Sequence, residues 1–247
     1  MKQEYLQLID KLMALPRDWH RAGSVDRNLL LAIVRHCESL GRIRQSAETG
    51  AGRTTLLFSN LSDNHLVFAK DDGRSLSQTR TSSFLRAENV TFIEGPTQKT
   101  LPNYEFDHNF QVVLIDGPHG YPFPDLEYYY FYPRLESGSL LILDDTQIPS
   151  IGRMLEILKA DPMFDLVEIV SNAAFLKRTN APIIDPCSDS WWLQGYNRSH
   201  YEQIISPASP TKKSSFDQFL HKVSKLTPQI IKDSLPNALK KKLQSRM

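Results

Sequence analysis

Cysteine is almost absent from this chain: two in 247 residues, Cys37 and Cys187. Two thiols so far apart offer neither the spacing of a zinc site nor a disulfide framework, and they point to a reducing compartment. Long apolar runs are missing too. No stretch reaches the ~18 residues that mark a membrane-spanning helix. The opening segment, MKQEYLQLIDKLMALPRDW, carries acids inside its apolar pattern and lacks the core of a secretory signal. The cytoplasm is the location expected. Net charge is close to nil, with 29 Lys+Arg against 28 Asp+Glu, so no global field argues for a nucleic-acid partner. No internal repeat is present.

What is there is an ordinary globular composition, 40% hydrophobic and 23% charged. The length suits one α/β domain with appendages and suffices for a real core. The charge is unevenly placed. From Thr211 onward there are nine basic and two acidic residues, a net of +7, which leaves 20 basic and 26 acidic residues, a net of −6, on the first 210. A mildly acidic body therefore carries a basic tail.

Hydrophobic periodicity divides the body. Leu6, Ile9, Leu12 and Met13 mark a helix within 1–15. Ser24 is the expected cap of a second helix, with Leu29, Leu30, Ile33, Val34, Cys37 and Leu40 on its apolar face and Gly41 at its end. Short strands then alternate with helices: strands over 43–49, 65–69, 90–93, 112–115 and 140–143, and helices over 54–61, 75–86, 124–135 and 151–159. A closing strand pair, 166–170 and 173–176, is too tightly joined to be parallel. Strands that are apolar throughout, such as Val112-Val113-Leu114-Ile115, belong to a mostly parallel sheet covered on both faces. The domain boundaries expected are 1–40 for the N-terminal helices, 41–180 for the core, 181–210 for an irregular extension and 211–247 for a basic, partly helical tail.

In such sheets ligands bind beyond the carboxyl ends of the strands. Each strand here delivers acids or turn residues to that edge. They are Glu48-Thr49-Gly50-Ala51-Gly52-Arg53-Thr54 after the first, Asp71-Asp72-Gly73 after the second, and Glu94-Gly95-Pro96 after the third. Asp116-Gly117-Pro118-His119 follows the fourth and Asp144-Asp145-Thr146 the fifth. Asp and Gly are also what strand-to-helix loops are generally made of, but five such loops in succession favour a site. The Gly-x-Gly turn opens a helix, where a ligand can approach the backbone closely and a negative group is favoured. Thr55 stands where the dinucleotide fingerprint has its third glycine.

Together ETGAGRTT, the acid pair at 71–72, VVLIDGPHGY and LLILDDT resemble class I S-adenosylmethionine (SAM)-dependent methyltransferases. The closest likeness is to the small-molecule O-methyltransferases of methyltransferase family 24 and the catechol type, over about residues 40–180. The resemblance implies a Rossmann-like seven-stranded sheet ordered 3-2-1-4-5-7-6, its last strand antiparallel. It also implies a SAM pocket shaped by Glu48, Thr49, Gly50, Gly52 and Thr54. Asp71 or Asp72 would hold the ribose, Glu94 and the loop after it would lie near the adenine, and Asp116 would border the cofactor. Further, it implies a divalent cation such as Mg2+ on Asp116, Asp144 and Asp145, with Asp116 and His119 as the catalytic pair. Two departures stand out: Asp145 where the catechol group commonly has Asn, and His119 as the nearest candidate for its usual lysine base.

The function expected is O-methylation of a small hydroxylated acceptor, a sugar or a natural-product intermediate. A nicotinamide-dependent oxidoreductase is the alternative enzyme, and an idle Rossmann-like interaction module the alternative of another class. Trp191-Trp192 is a candidate border of the acceptor pocket. The tail, with Lys240-Lys241-Lys242 and the apolar Ile230, Ile231, Leu235 and Leu239, reads as a solvated, partly disordered end, as a weak surface for an anionic membrane, or as a dock for a partner enzyme. It lacks the aromatic-basic interleaving of a strand-binding groove.

Overall fold

The computed structural model describes residues 1–16, 19, 25–71 and 73–205. The basic tail and Asp72 therefore lie outside the described residues, as does Ser24. A first compact unit runs from Met1 to Ser199.

Two helices, α1 (Gln3–Met13) and α2 (Arg27–Leu40), precede the sheet. The cap of α2 is Asp26, whose Oδ1 accepts a hydrogen bond from the Leu29 amide at 2.8 Å. Gly41 ends the helix at φ +84, where a Cβ would strain the backbone. The alternating region then gives β1 (Ile43–Thr49), α3 (Arg53–Leu61), β2 (Ser62–Ala69), α4 (Ser75–Arg80), β3 (Val90–Glu94), α5 (Thr97–Asn103), β4 (Phe110–Ile115), α6 (Phe123–Phe131), β5 (Leu135–Leu143) and α7 (Pro149–Lys159). The hairpin β6 (Phe164–Val170) and β7 (Ala173–Arg178) closes the sheet, and α8 (Gly195–Ile205) lies within the stretch expected to be irregular.

The strand order is β3-β2-β1-β4-β5-β7-β6. β1 to β5 are mutually parallel, and β7 runs antiparallel to both of its neighbours. That is the order expected from the resemblance. Two expected helix ends are corrected, and one helix was not foreseen. The helix expected over 75–86 stops at Arg80. The helix expected over 124–135 ends at Phe131, because Leu135 already belongs to β5. Helix α5, with Pro102 inside it, gives no periodic signal in the sequence.

The apolar character of the central strands follows from their burial on two sides. Val112 and Leu114 of β4 pack into the core beneath α1, α2 and α3, with Leu30, Ile33, Leu56 and Leu57. Val113 and Ile115 pack on the other face with Phe131 of α6 and Ile151, Met154 and Leu158 of α7. Alternation vanishes because neither face meets water. Tyr128 stacks on Tyr132 at 5.0 Å, and Phe131 is fully buried, so this aromatic run serves the core.

Register makes the strand tips level. Thr49 is paired with Phe68 on one side and Ile115 on the other, Ile115 with Leu143, and Leu143 with Ala174. Leu114 lies at the centre of this sheet with no exposed surface. Leu114→Ala is expected to cost about 3 kcal/mol and lower Tm by roughly 6–12 °C, measurable by calorimetry. A loss below 1 kcal/mol would contradict the two-sided packing.

Candidate active site

Because the tips are level, the residues that follow them emerge along one edge. Neighbouring tips are tied together there. The Gly50 amide donates to the Phe68 carbonyl (3.0 Å), that of Gly95 to Ala69 (3.0 Å), and that of Asp144 to Ile115 (3.1 Å). Between β1 and β4 the chain changes direction across the sheet, so the loops on either side diverge and leave a crevice. A cleft of about 600 Å³ opens at that point. Gly50, Ala51, Gly52 and Thr54 form one side of it, and Asp116, Gly117 and His119 the other. Asp144 and Asp145 lie at one end, Pro96, Thr97 and Gln98 at the opposite end.

Gly50 is required by the close approach of the two loops. Its φ is +90, and a Cβ there would collide with the Asp116 carbonyl. Gly52 caps α3, and its amide donates to Thr55 Oγ1 at 3.0 Å. The Thr55 hydroxyl in turn donates to Glu48 Oε1. Glu48 is wholly buried, with His65 Nε2 at 3.2 Å from the same oxygen, so it shapes the glycine turn from beneath. Thr49 is likewise buried below the cleft floor.

At the ribose and adenine end the loop after Glu94 reaches the cleft as expected, and the acids Asp71 and Glu94 do not. Asp71 is exposed, does not line the cleft, and its Oδ1 accepts from the Gly73 amide at 2.8 Å. Glu94 is exposed and paired with Arg80 at 2.7 Å. The cleft wall there is Ala69, Lys70, Pro96, Thr97 and Gln98 instead.

At the other end charge accumulates. His119 Nε2 lies 3.6 Å from Asp116 Oδ1 and 3.3 Å from Asp145 Oδ2. Ligand-capable atoms of Asp116, His119 and Asp145 all fall within 4.8 Å of one another. Of the three acids expected to share a cation, Asp116 and Asp145 converge with the histidine. Asp144 lines the same cleft and accepts from the Asp145 amide at 2.8 Å. Asp145 adopts φ +55, uncommon for a non-glycine residue, at the turn where the Thr146 amide meets the Asn172 carbonyl at 2.8 Å. The Ser150 hydroxyl of α7 donates to the His119 carbonyl and fixes the base of that loop.

All the resolved shifts in this cluster favour extra protons. Burial raises the Asp116 carboxyl. Burial first, and then repulsion from Asp116, pushes Asp144 up to about 7. The Asp116 carboxylate beside it raises His119. The site is thus short of positive charge. Two carboxylates and an imidazole form a donor set that suits a divalent cation, which would relieve the same repulsion.

Sequence reasoning missed Arg53, Phe123, Ser171, Asn172 and the start of α2, all of which line the cleft. Arg53 is buried and donates to the Leu12 carbonyl at 3.0 Å, tying α1 to the glycine turn. The turn residues Ser171-Asn172 were legible only as a turn. The Trp191 and Trp192 rings meet each other at 5.9 Å and do not line the cleft.

The strand order, with a polar crevice at the switch point, is that of a Rossmann-like methyltransferase. Residues 47–146 match the model of a family described as a methyltransferase domain, so the resemblance read from the sequence is borne out. Three solved structures share the fold. The O-methyltransferase NovP is 19% identical, with a TM-score of 0.55 over 72% of this chain and 98% of that one. The O-methyltransferase TomG from Streptomyces achromogenes, in complex with SAM, is 14% identical, with a TM-score of 0.52 over 73% and 91%. The methyltransferase from Podospora anserina bound to S-adenosylhomocysteine (SAH) is 13% identical, with a TM-score of 0.54 over 73% and 89%. No curated protein sequence matches the chain.

Asp144 has its ordinary value of 3.8 when unfolded and about 7 when folded. The folded chain therefore binds more protons across that interval, and stability falls as pH rises through it. Asp144→Asn is expected to flatten this slope and to raise Tm relative to wild type above pH 7. An unchanged Tm-versus-pH curve would show that Asp144 ionises freely.

Proposed function

We propose that this protein is a SAM-dependent O-methyltransferase acting on a hydroxyl of a small acceptor, a sugar or a natural-product intermediate. The observation that carries the reading is the meeting of Asp116, His119 and Asp145 at one end of a cleft whose side is the Gly50–Gly52 turn. SAM carries a sulfonium cation, and the acid cluster is short of one. In this reading Gly50, Gly52 and Thr54 pass close to the cofactor, Glu48 and Thr49 support them from below, and Ala69 and Lys70 border the ribose. Pro96, Thr97 and Gln98 take the adenine side that Glu94 was expected to serve. The acceptor sits towards Phe123 and Asn172.

A hydroxyl is a poor nucleophile at neutral pH and must lose its proton as the methyl arrives. His119 is held between two carboxylates that orient the ring and stabilise the imidazolium formed when it accepts that proton. The rest of the rate comes from alignment of sulfur, methyl and oxygen by rigid strand tips. A divalent cation would be held by Asp116, Asp145 and the nearby Asp144, or by His119 in place of Asp144. It would supply positive charge that acidifies the acceptor hydroxyl. Among the described residues no helix is long and apolar enough to cross a membrane, and Cys37 is a buried free thiol whose pKa burial pushes up to about 12. Both fit the cytoplasmic location we propose.

Calorimetric titration should show saturable binding of SAM and none of NAD; the reverse would replace this reading with an oxidoreductase. With labelled SAM, mass spectrometry of acceptor pools should find the methyl on oxygen. His119→Ala should lower kcat about 10²- to 10⁴-fold while the SAM Kd stays within about twofold. Unchanged turnover would remove His119 from its role. Loss of activity in chelator, restored by Mg2+ or Mn2+, would establish the cation; full activity in chelator would leave His119 and its carboxylates as the whole apparatus.

A further inference from the structure

One buried acid has no part in this chemistry. Glu127, on α6, has no exposed surface. Its Oε2 accepts a hydrogen bond from the Thr49 hydroxyl at 2.7 Å. The same Thr49 oxygen accepts from the Asp116 amide at 3.0 Å. The tip amides of Gly50, Gly95 and Asp144 are anchored on carbonyls of neighbouring strands. That of Asp116, at the switch point, is anchored instead on a side chain. A hydroxyl can rotate; this one is fixed because its hydrogen bond is donated to Glu127. The Glu127 carboxylate also lies against the Gly117 Cα, so that a Cβ on residue 117 would overlap both of its oxygens.

We infer that Glu127 is a positioning residue for the reacting end of the cleft: through the Thr49 hydroxyl it locks the Asp116 amide, and against Gly117 it sets the direction in which the Asp116–His119 loop leaves the sheet. The inference rests on the methyl-transfer reading for its link to catalysis, while the relay itself is a property of the fold. Gly117 is then glycine because Glu127 fills the space behind it. Side chains that only fill the core would pack in that space as well, so the acceptor oxygen is the distinguishing requirement.

The test is amide hydrogen exchange at Asp116 in the full chain, followed by NMR without any ligand. Exchange should quicken on the order of tenfold in Glu127→Ala and Thr49→Val. It should return towards the wild-type rate in Glu127→Gln and Thr49→Ser, which keep an acceptor and a hydroxyl. The pair Glu127→Ala with Thr49→Val should exchange no faster than either alone. Gly117→Ala should lower Tm in the wild-type background and much less when combined with Glu127→Ala. With the acceptor found for the wild type, kcat should fall in Glu127→Ala and recover in Glu127→Gln, with KM for SAM little changed. An Asp116 amide that exchanges at the wild-type rate in Glu127→Ala overturns the relay, as does failure of Glu127→Gln to rescue it. Should Glu127→Ala fail to fold, Thr49→Val and Thr49→Ser decide the same point. A wild-type chain that binds no SAM sinks the methyl-transfer reading and leaves the exchange result to be judged alone.

Discussion

Level strand tips are the constraint on which the site depends. The pairings Phe68–Thr49, Thr49–Ile115, Ile115–Leu143 and Leu143–Ala174 set four parallel strands to end, and the antiparallel β7 to begin, at one height. Amide-to-carbonyl bonds tie the tip of β2 to those of β1 and β3 and the tip of β4 to that of β5, and the Thr49 hydroxyl accepts from the Asp116 amide between β1 and β4. A slip of one residue in any strand would turn its side chains to the opposite face and withdraw its acid from the crevice. Apolar packing on both faces makes that slip costly, because Val112 and Leu114 would have to exchange places with Val113 and Ile115 in two different cores. Precision at the edge is inherited from burial at the centre.

Electrostatics at that edge follow from the same geometry. Adjacent strands lie about 5 Å apart, so the acids that follow β4 and β5 come close together. Burial raises both Asp116 and Asp144, helped by repulsion from Glu48 and Asp145 at Asp116 and from Asp116 at Asp144. The His119 ring lies between Asp116 and Asp145. The arrangement is strained in charge and steady in position, which suits the cationic cofactor and the hydroxyl acceptor we propose. The N-terminal helices take part as well, since Arg53 ties the end of α1 to the glycine turn.

Much of this was legible in the residues. An unbroken apolar strand running into Asp116-Gly117-Pro118-His119 states its own depth in the sheet and its own end. Gly50 and Gly52 announced a close approach, and the short link at Ser171-Asn172 forced the last pair to be antiparallel. What was not legible depended on partners distant in sequence. Glu94 has the position of a cofactor-facing acid, yet Arg80 on α4 claims it. Asp71 turns its oxygen to the Gly73 amide. Helix α5 carries no amphipathic pattern because it is short and interrupted by Pro102. Glu127 was hidden in an aromatic run that reads as core, and it is core, save for its carboxylate.

The sequence by itself determined the order of elements and the chemistry carried at each strand end, because hydrophobic period and turn composition are local properties. Only the tertiary structure decided which of those acids face one another. That choice depends on register, on the angle at which each loop leaves its strand, and on which buried neighbour claims each oxygen. Those are contacts between residues far apart in the chain, and no local pattern encodes them.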